Sequence, residues 1–82
     1  MIIKVKSETE NPHVFCVDQP AKYNNGHHEL YCIFDGIAPE IGKSYSANPV
    51  HKWVDINYKE TVIAHCFVSK GEPIDDNYSV YN

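Results

Sequence analysis

The amino-acid sequence predicts an all-β fold: one small domain over residues 1–82, built as an antiparallel barrel or sandwich. Three observations predict it. Ile and Val fill sixteen positions, whereas Leu30 is the only Leu and Met1 the only Met; β-branched side chains are stiff at χ1 and sit better on a pleated strand than in a helix. The apolar residues come in runs too short for helices of ordinary length, several of them alternating with polar residues. Between the runs stand Asn-Pro, Asn-Gly and Asp-Gly pairs, which favour turns. At this length a single core is just sufficient to offset the entropy of ordering the chain.

Residues 1–7 alternate, with Ile3 and Val5 on one face and Lys4 and Lys6 on the other, as in a half-buried strand. Residues 8–12, ending in Asn11-Pro12, connect it to a second strand at 13–18, with Val14 and Cys16 on one face and Phe15 and Val17 on the other. Pro20 lacks a backbone donor, so the end of that strand is expected at an edge or a bulge. Asn24-Asn25-Gly26 is the strongest turn signal in the chain and should fold residues 13–23 back on 27–35. In that second arm Leu30, Cys32 and Phe34 face one way and Tyr31 and Ile33 the other, the pattern of an interior strand.

Asp35-Gly36 breaks the run, and residues 36–43 form the longest loop, with Ile37 and Ile41 expected beneath it. A short strand at 43–47 follows, and Asn48-Pro49 should turn the chain again. Residues 50–58 then alternate, Val54, Ile56 and Tyr58 against Trp53, Asp55 and Asn57. Lys59-Glu60 reads as a hairpin tip, and residues 61–69 as a second interior strand. Residues 70–73 turn, and residues 74–81 read as an edge strand or an ordered arm.

Charge and cysteine content narrow the function. The formal charge is −4 and all seven basic residues are Lys, scattered at 4, 6, 22, 43, 52, 59 and 70. Arg is the side chain best suited to bidentate recognition of phosphate and guanine, so its absence, with no basic stripe, counts against a nucleic-acid reader. Cys16, Cys32 and Cys66 cannot all pair within one chain, and no signal peptide is recognisable, which predicts reduced thiols and a cytoplasmic protein. No segment approaches the roughly 20 apolar residues that span a bilayer.

The run containing Cys32, the Gly42-Lys43-Ser44-Tyr45 opening, the aromatic stretch from Trp53 to Tyr58 and the closing run at Phe67 together resemble small SH3-like β-barrel proteins, many of them products of tailed phages. The resemblance spans residues 30–68 and implies an SH3-like or related antiparallel β-barrel. It implies no activity, because such barrels host many functions. Phages encode many proteins of this size that bind and inhibit a host enzyme or defence complex. On that association the expectation is a non-enzymatic protein-interaction module, an inhibitor of the anti-CRISPR or anti-restriction type.

The candidate sites follow from residue chemistry. His13, Cys16, His27, His28, Cys32, His51, His65 and Cys66 are all possible ligands for zinc, yet no Cys-x-x-Cys pair exists, and residues three apart on a strand, such as His13 and Cys16, face opposite ways. No metal and no cofactor is therefore assigned; a small zinc- or nucleic-acid-binding β module is the alternative reading. A Cys nucleophile with a His base, for example Cys16 or Cys32 with His27 or His65, is a third. It is disfavoured because the cysteines lie in apolar strand-like runs rather than on loops that stabilise a thiolate. Gly42-Lys43-Ser44 lacks the earlier glycine and the following helix of a phosphate-binding loop.

Six tyrosines and one tryptophan are too many for so short a chain to bury. Tyr and Trp most often anchor protein interfaces, which makes Tyr31, Trp53, Tyr78 and Tyr81 the predicted partner contacts. Asp75 and Asp76, with Glu72, offer a second mode: an acidic segment occupying a basic site on the partner. An edge strand at 74–81 would also support a homodimer.

Overall fold

The computed structural model describes residues 1–19 and 29–69. They form one six-stranded sheet, and among them no helix is present. The strands are β1 (Ile2–Glu8), β2 (Val14–Asp18), β3 (Glu29–Phe34), β4 (Ser44–Ser46), β5 (Asn48–Asn57) and β6 (Glu60–Val68), and their spatial order is β4-β1-β2-β3-β6-β5. The all-β reading and most of the strand positions hold.

The core is built by alternation. Ile3 and Val5 of β1, Phe15 and Val17 of β2, Cys32 and Phe34 of β3, Tyr45 of β4 and Cys66 and Val68 of β6 converge on one cluster, with Leu30 and Ile37 packed against it. Phe34 is its centre. Its ring meets Phe15 at 5.4 Å and Tyr45 at 5.5 Å between centroids, both edge to face, the geometry that aromatic quadrupoles favour. β2 is buried on both faces, since Val14 and Cys16 are also enclosed.

The pairing differs from an all-antiparallel barrel in one place. β3 and β6 run parallel, with Cys32 opposite Cys66 and Phe34 opposite Val68; the other four pairings are antiparallel. Parallel strands need a long crossover, and here β4 and β5 lie within it. Nor is the sheet closed by hydrogen bonding: among the described residues no ladder joins β4 to β5, the two strands at its edges.

The sheet is nevertheless strongly curled. β4 and β5 stand at opposite edges, yet Ala47 alone separates them, so the Cα atoms of Ser46 and Asn48 lie within about 7.6 Å of each other. The Ala47 amide donates to the Met1 carbonyl at 2.7 Å, and the Met1 amino group donates to the Ala47 carbonyl at 2.8 Å. Away from this corner, Asn11 Nδ2 reaches from the β1–β2 connection to the Asp55 carbonyl on β5 at 2.7 Å. These contacts tie the start of β5 to β1 and its far part to the β1–β2 connection.

Several local expectations are corrected. Asn48-Pro49 does not turn the chain: both residues begin β5, and Pro is tolerated because β5 is an edge strand. The end of β2 is not at an edge, because Asp18 is registered with Lys4 on one side and Glu29 on the other; the irregularity expected there as the other possibility is present in the β1–β2 pair, between Val5 and Ser7 opposite Val17 and Cys16. Ile41 is not tucked under its loop but 55% exposed, since Gly42 beside it takes a positive φ of 91° and its amide donates to the Val5 carbonyl at 2.9 Å, committing the backbone there to β1 rather than to covering Ile41. Tyr58 belongs to the hairpin tip rather than the strand, and Glu60 to β6 rather than the tip. The Asn57 side chain makes the difference, its Oδ1 accepting from the Lys59 amide at 2.8 Å and the Glu60 amide at 2.9 Å. This is an Asx turn, in which a side chain stands in for backbone. The predicted turn at residues 24–26 and the predicted segment at 74–81 lie outside the described residues.

Candidate functional site

β5 and β6 form the longest antiparallel ribbon of the sheet, and β5 carries chemically different residues on its two sides. Lys52 is registered with the buried Ala64 and Trp53 with Ile63, so these two face opposite ways, while the irregularity between Pro49 and Lys52 interrupts the alternation at Val50 and His51. Val50 and Lys52 line an open groove of about 520 Å³ together with His13, Ile33, Phe34, Asp35 and Phe67. Ile33, Val50 and Phe67 make its walls apolar, while His13, Asp35 and Lys52 supply polar and charged groups.

His51 and Trp53 point outward. Trp53 is registered with Ile63 of β6, and directly opposed residues share a face. By alternation His65 lies on that same side, and its ring sits 6.2 Å from that of His51, tilted by 44°. His51, Trp53, Ile63 and His65 therefore form one outward patch. Trp53 is 65% exposed, well beyond what a core aromatic shows. Tyr58, 88% exposed at the hairpin tip, extends the apolar surface, with the Lys59 ammonium 5.2 Å from its ring centre.

The backbone aligns the two histidines. A straight ribbon running from the turn at Tyr58 and Lys59 would set His51 opposite Cys66. One irregularity between Asp55 and Asn57 shifts the register so that Asp55 meets Thr61 and Lys52 meets Ala64, which brings His51 level with His65. A second irregularity between Pro49 and Lys52 shifts the register one residue further, and pairing resumes at Pro49 with Cys66. Bulges of this kind re-aim side chains.

Of the predicted contact residues, Tyr31 and Trp53 are the two that lie among the described residues. Trp53 lies on the outward patch; Tyr31, on β3, alternates with the core residues Leu30 and Cys32 and so faces away from the core as His65 does, and it is half-buried. Burial, its largest influence, pushes the Tyr31 hydroxyl pKa up. Tyr78, Tyr81, Asp75 and Asp76 lie outside the described residues.

The cysteines all sit inside. Cys16, Cys32 and Cys66 are free and buried. Burial pushes the Cys16 thiol up from its ordinary range. The Cys32 thiol is pushed up further, first by its hydrogen bond with the Cys66 thiol and then by burial. That same bond draws on Cys66 in the opposite sense while burial resists. For the pair the upward direction governs, because ionising either thiol leaves a charge in an apolar core. Among the described residues, no three His, Cys, Asp or Glu side chains cluster as metal ligands.

No family model, no curated protein and no solved structure matches this chain.

Proposed function

We propose that this chain is a non-enzymatic protein-interaction module that meets its partner with the outward side of the β5–β6 ribbon. Trp53 carries the reading: a large aromatic side chain, 65% exposed and held on a hydrogen-bonded ribbon, has the rigidity and amphipathic character of an interface anchor. Ile63 beside it and Tyr58 at the tip widen the contact. The burial of all three thiols supports a binding role over nucleophilic chemistry, since a reactive thiolate needs an exposed, electropositive setting. In the finer form of the proposal the partner is a host or defence protein whose functional surface the ribbon occludes.

The test is to place a photo-crosslinking residue at position 53 or, as a control, at the surface position Lys4, and to expose both proteins to the host proteome. A partner captured from position 53 alone, whose affinity falls about tenfold or more in Trp53→Ala, is the expected result. If Trp53→Ala binds that partner as well as the parent does, the ribbon is not the interface. Asp75→Asn with Asp76→Asn then asks whether the acidic segment is used instead, through a loss of affinity and of salt sensitivity.

A further inference from the structure

We propose that His51 and His65 together chelate a divalent transition-metal ion of the zinc, copper or nickel class. The inference rests on the geometry of the ribbon and is independent of the protein-binding role proposed for Trp53. Imidazole is a ligand for all three metals. Two imidazole nitrogens at about 2.0–2.1 Å from one ion place each ring centre about 3 Å from it, so the ring centres stand roughly 5 Å apart at a tetrahedral angle. The observed separation is 6.2 Å. Closing it takes roughly an ångström of movement by two exposed side chains, within reach of rotation about their side-chain torsions.

The strands supply the rest of the arrangement. His51 and His65 belong to neighbouring strands joined by the β5–β6 ladder on both sides of them, at Pro49 with Cys66 and at Lys52 with Ala64, so the two Cα positions are fixed before any ion arrives. The ordering cost of bringing the ligands together is already met by the fold. Beside the two imidazoles stand Trp53 and Ile63, and the carboxylate of Asp55, the next residue on that side of β5, accepts from the Thr61 hydroxyl at 2.7 Å. A pair of imidazole nitrogens favours the borderline transition metals over calcium and magnesium, which take oxygen ligands. With two protein ligands, the remaining coordination positions are open to water or to a ligand from outside the chain.

The chain contains one tryptophan, and it stands two residues from His51 on the same side of β5, so it reports on the site directly. Titration of the purified protein with Ni²⁺ or Cu²⁺, both of which quench neighbouring indole emission, should give saturable quenching of Trp53 at one ion per chain. Zn²⁺ should reverse the quenching by competition. His51→Ala and His65→Ala should each raise the midpoint by about tenfold or more, while His13→Ala, outside the ribbon, should leave it unchanged. Both positions are exposed, so circular dichroism of the two variants should match the parent. Quenching that is non-saturable, or that persists with an unchanged midpoint in His51→Ala and His65→Ala, overturns the proposal. The titration involves no partner protein, so its outcome and that of the crosslinking experiment are read separately.

Discussion

Cys32 and Cys66 lie opposite each other in the parallel β3–β6 pair, and neither has any accessible surface. Both are free thiols, and each donates to a backbone carbonyl, Cys32 Sγ to that of Ile33 at 3.7 Å and Cys66 Sγ to that of Tyr31 at 3.9 Å. Under native conditions a maleimide should therefore leave both unmodified until the chain unfolds, with Cys16 reacting slowly and first. In denaturant all three should react at one rate. Mass spectrometry of time points checks this, and rapid native labelling at Cys32 or Cys66 would show that the β3–β6 pairing opens freely.

Phe34→Ala should be the most damaging single truncation. The ring is completely buried between Phe15 and Tyr45, and removing such a ring from a core costs about 3–5 kcal/mol. That approaches the whole stability expected of so small a domain, of order 5 kcal/mol. The variant should be largely unfolded by circular dichroism at room temperature, whereas Phe34→Leu, which refills much of the space, should retain a cooperative melt.

Asn57→Ala tests the hairpin that carries Trp53. It removes the acceptor of the Lys59 and Glu60 amides, and each such bond contributes about 1 kcal/mol. The expected loss is about 1–2 kcal/mol in a denaturant titration, with faster hydrogen exchange confined to the tip. Protection at the Ile63 amide, further down the ribbon, should change less.

The Lys6–Glu29 pair sets a pH dependence with a defined sign. Its atoms are 3.1 Å apart and both side chains are about half exposed. The hydrogen bond from Lys6, first, then one from Cys16 and the lysine charge hold Glu29 below its ordinary 4.5, while the bond and charge of Glu29 hold Lys6 above its ordinary 10.5. The folded state thus binds the Glu29 proton more weakly than the unfolded state, and its contribution is complete above about pH 4.5 and lost as pH falls through the depressed value. The Lys6 contribution is complete below about pH 10.5 and lost as pH rises through the raised value. Glu29→Gln should flatten the acid limb of the stability profile slightly, and high salt should remove most of the difference, because exposed pairs are weak and screened.

The strands could be read from the sequence because their information is local. Ile3 against Lys4, Val5 against Lys6, and the two-sided apolar runs around Phe34 and Cys66 declare which residues turn inward, and the buried set agrees with that pattern. The hairpin tip was misplaced by one residue for an equally local reason: Lys59-Glu60 looks as turn-like as Tyr58-Lys59 until the Asn57 side chain is seen to accept both following amides. The His51–His65 pair was not legible at all. It depends on two register irregularities, and a single-residue slip in a ribbon exchanges every cross-strand neighbour. His51-x-Trp53 on one strand and Ile63-x-His65 on the next are the only trace of it in the sequence.

By itself the sequence determined that the chain is all-β, that β3 and β6 are strands with two apolar faces, and that the cysteines serve packing, because each of these follows from residue type and a two-residue period. The tertiary structure decided three things: that β3 and β6 run parallel, that Ala47 alone carries the chain from one edge of the sheet to the other, and that two histidines come together beside Trp53. The physical reason is that periodicity specifies which way a side chain points but not which strand lies beside it. Strand order and register come from the sum of many weak contacts across the whole sheet, which no short stretch of the chain contains.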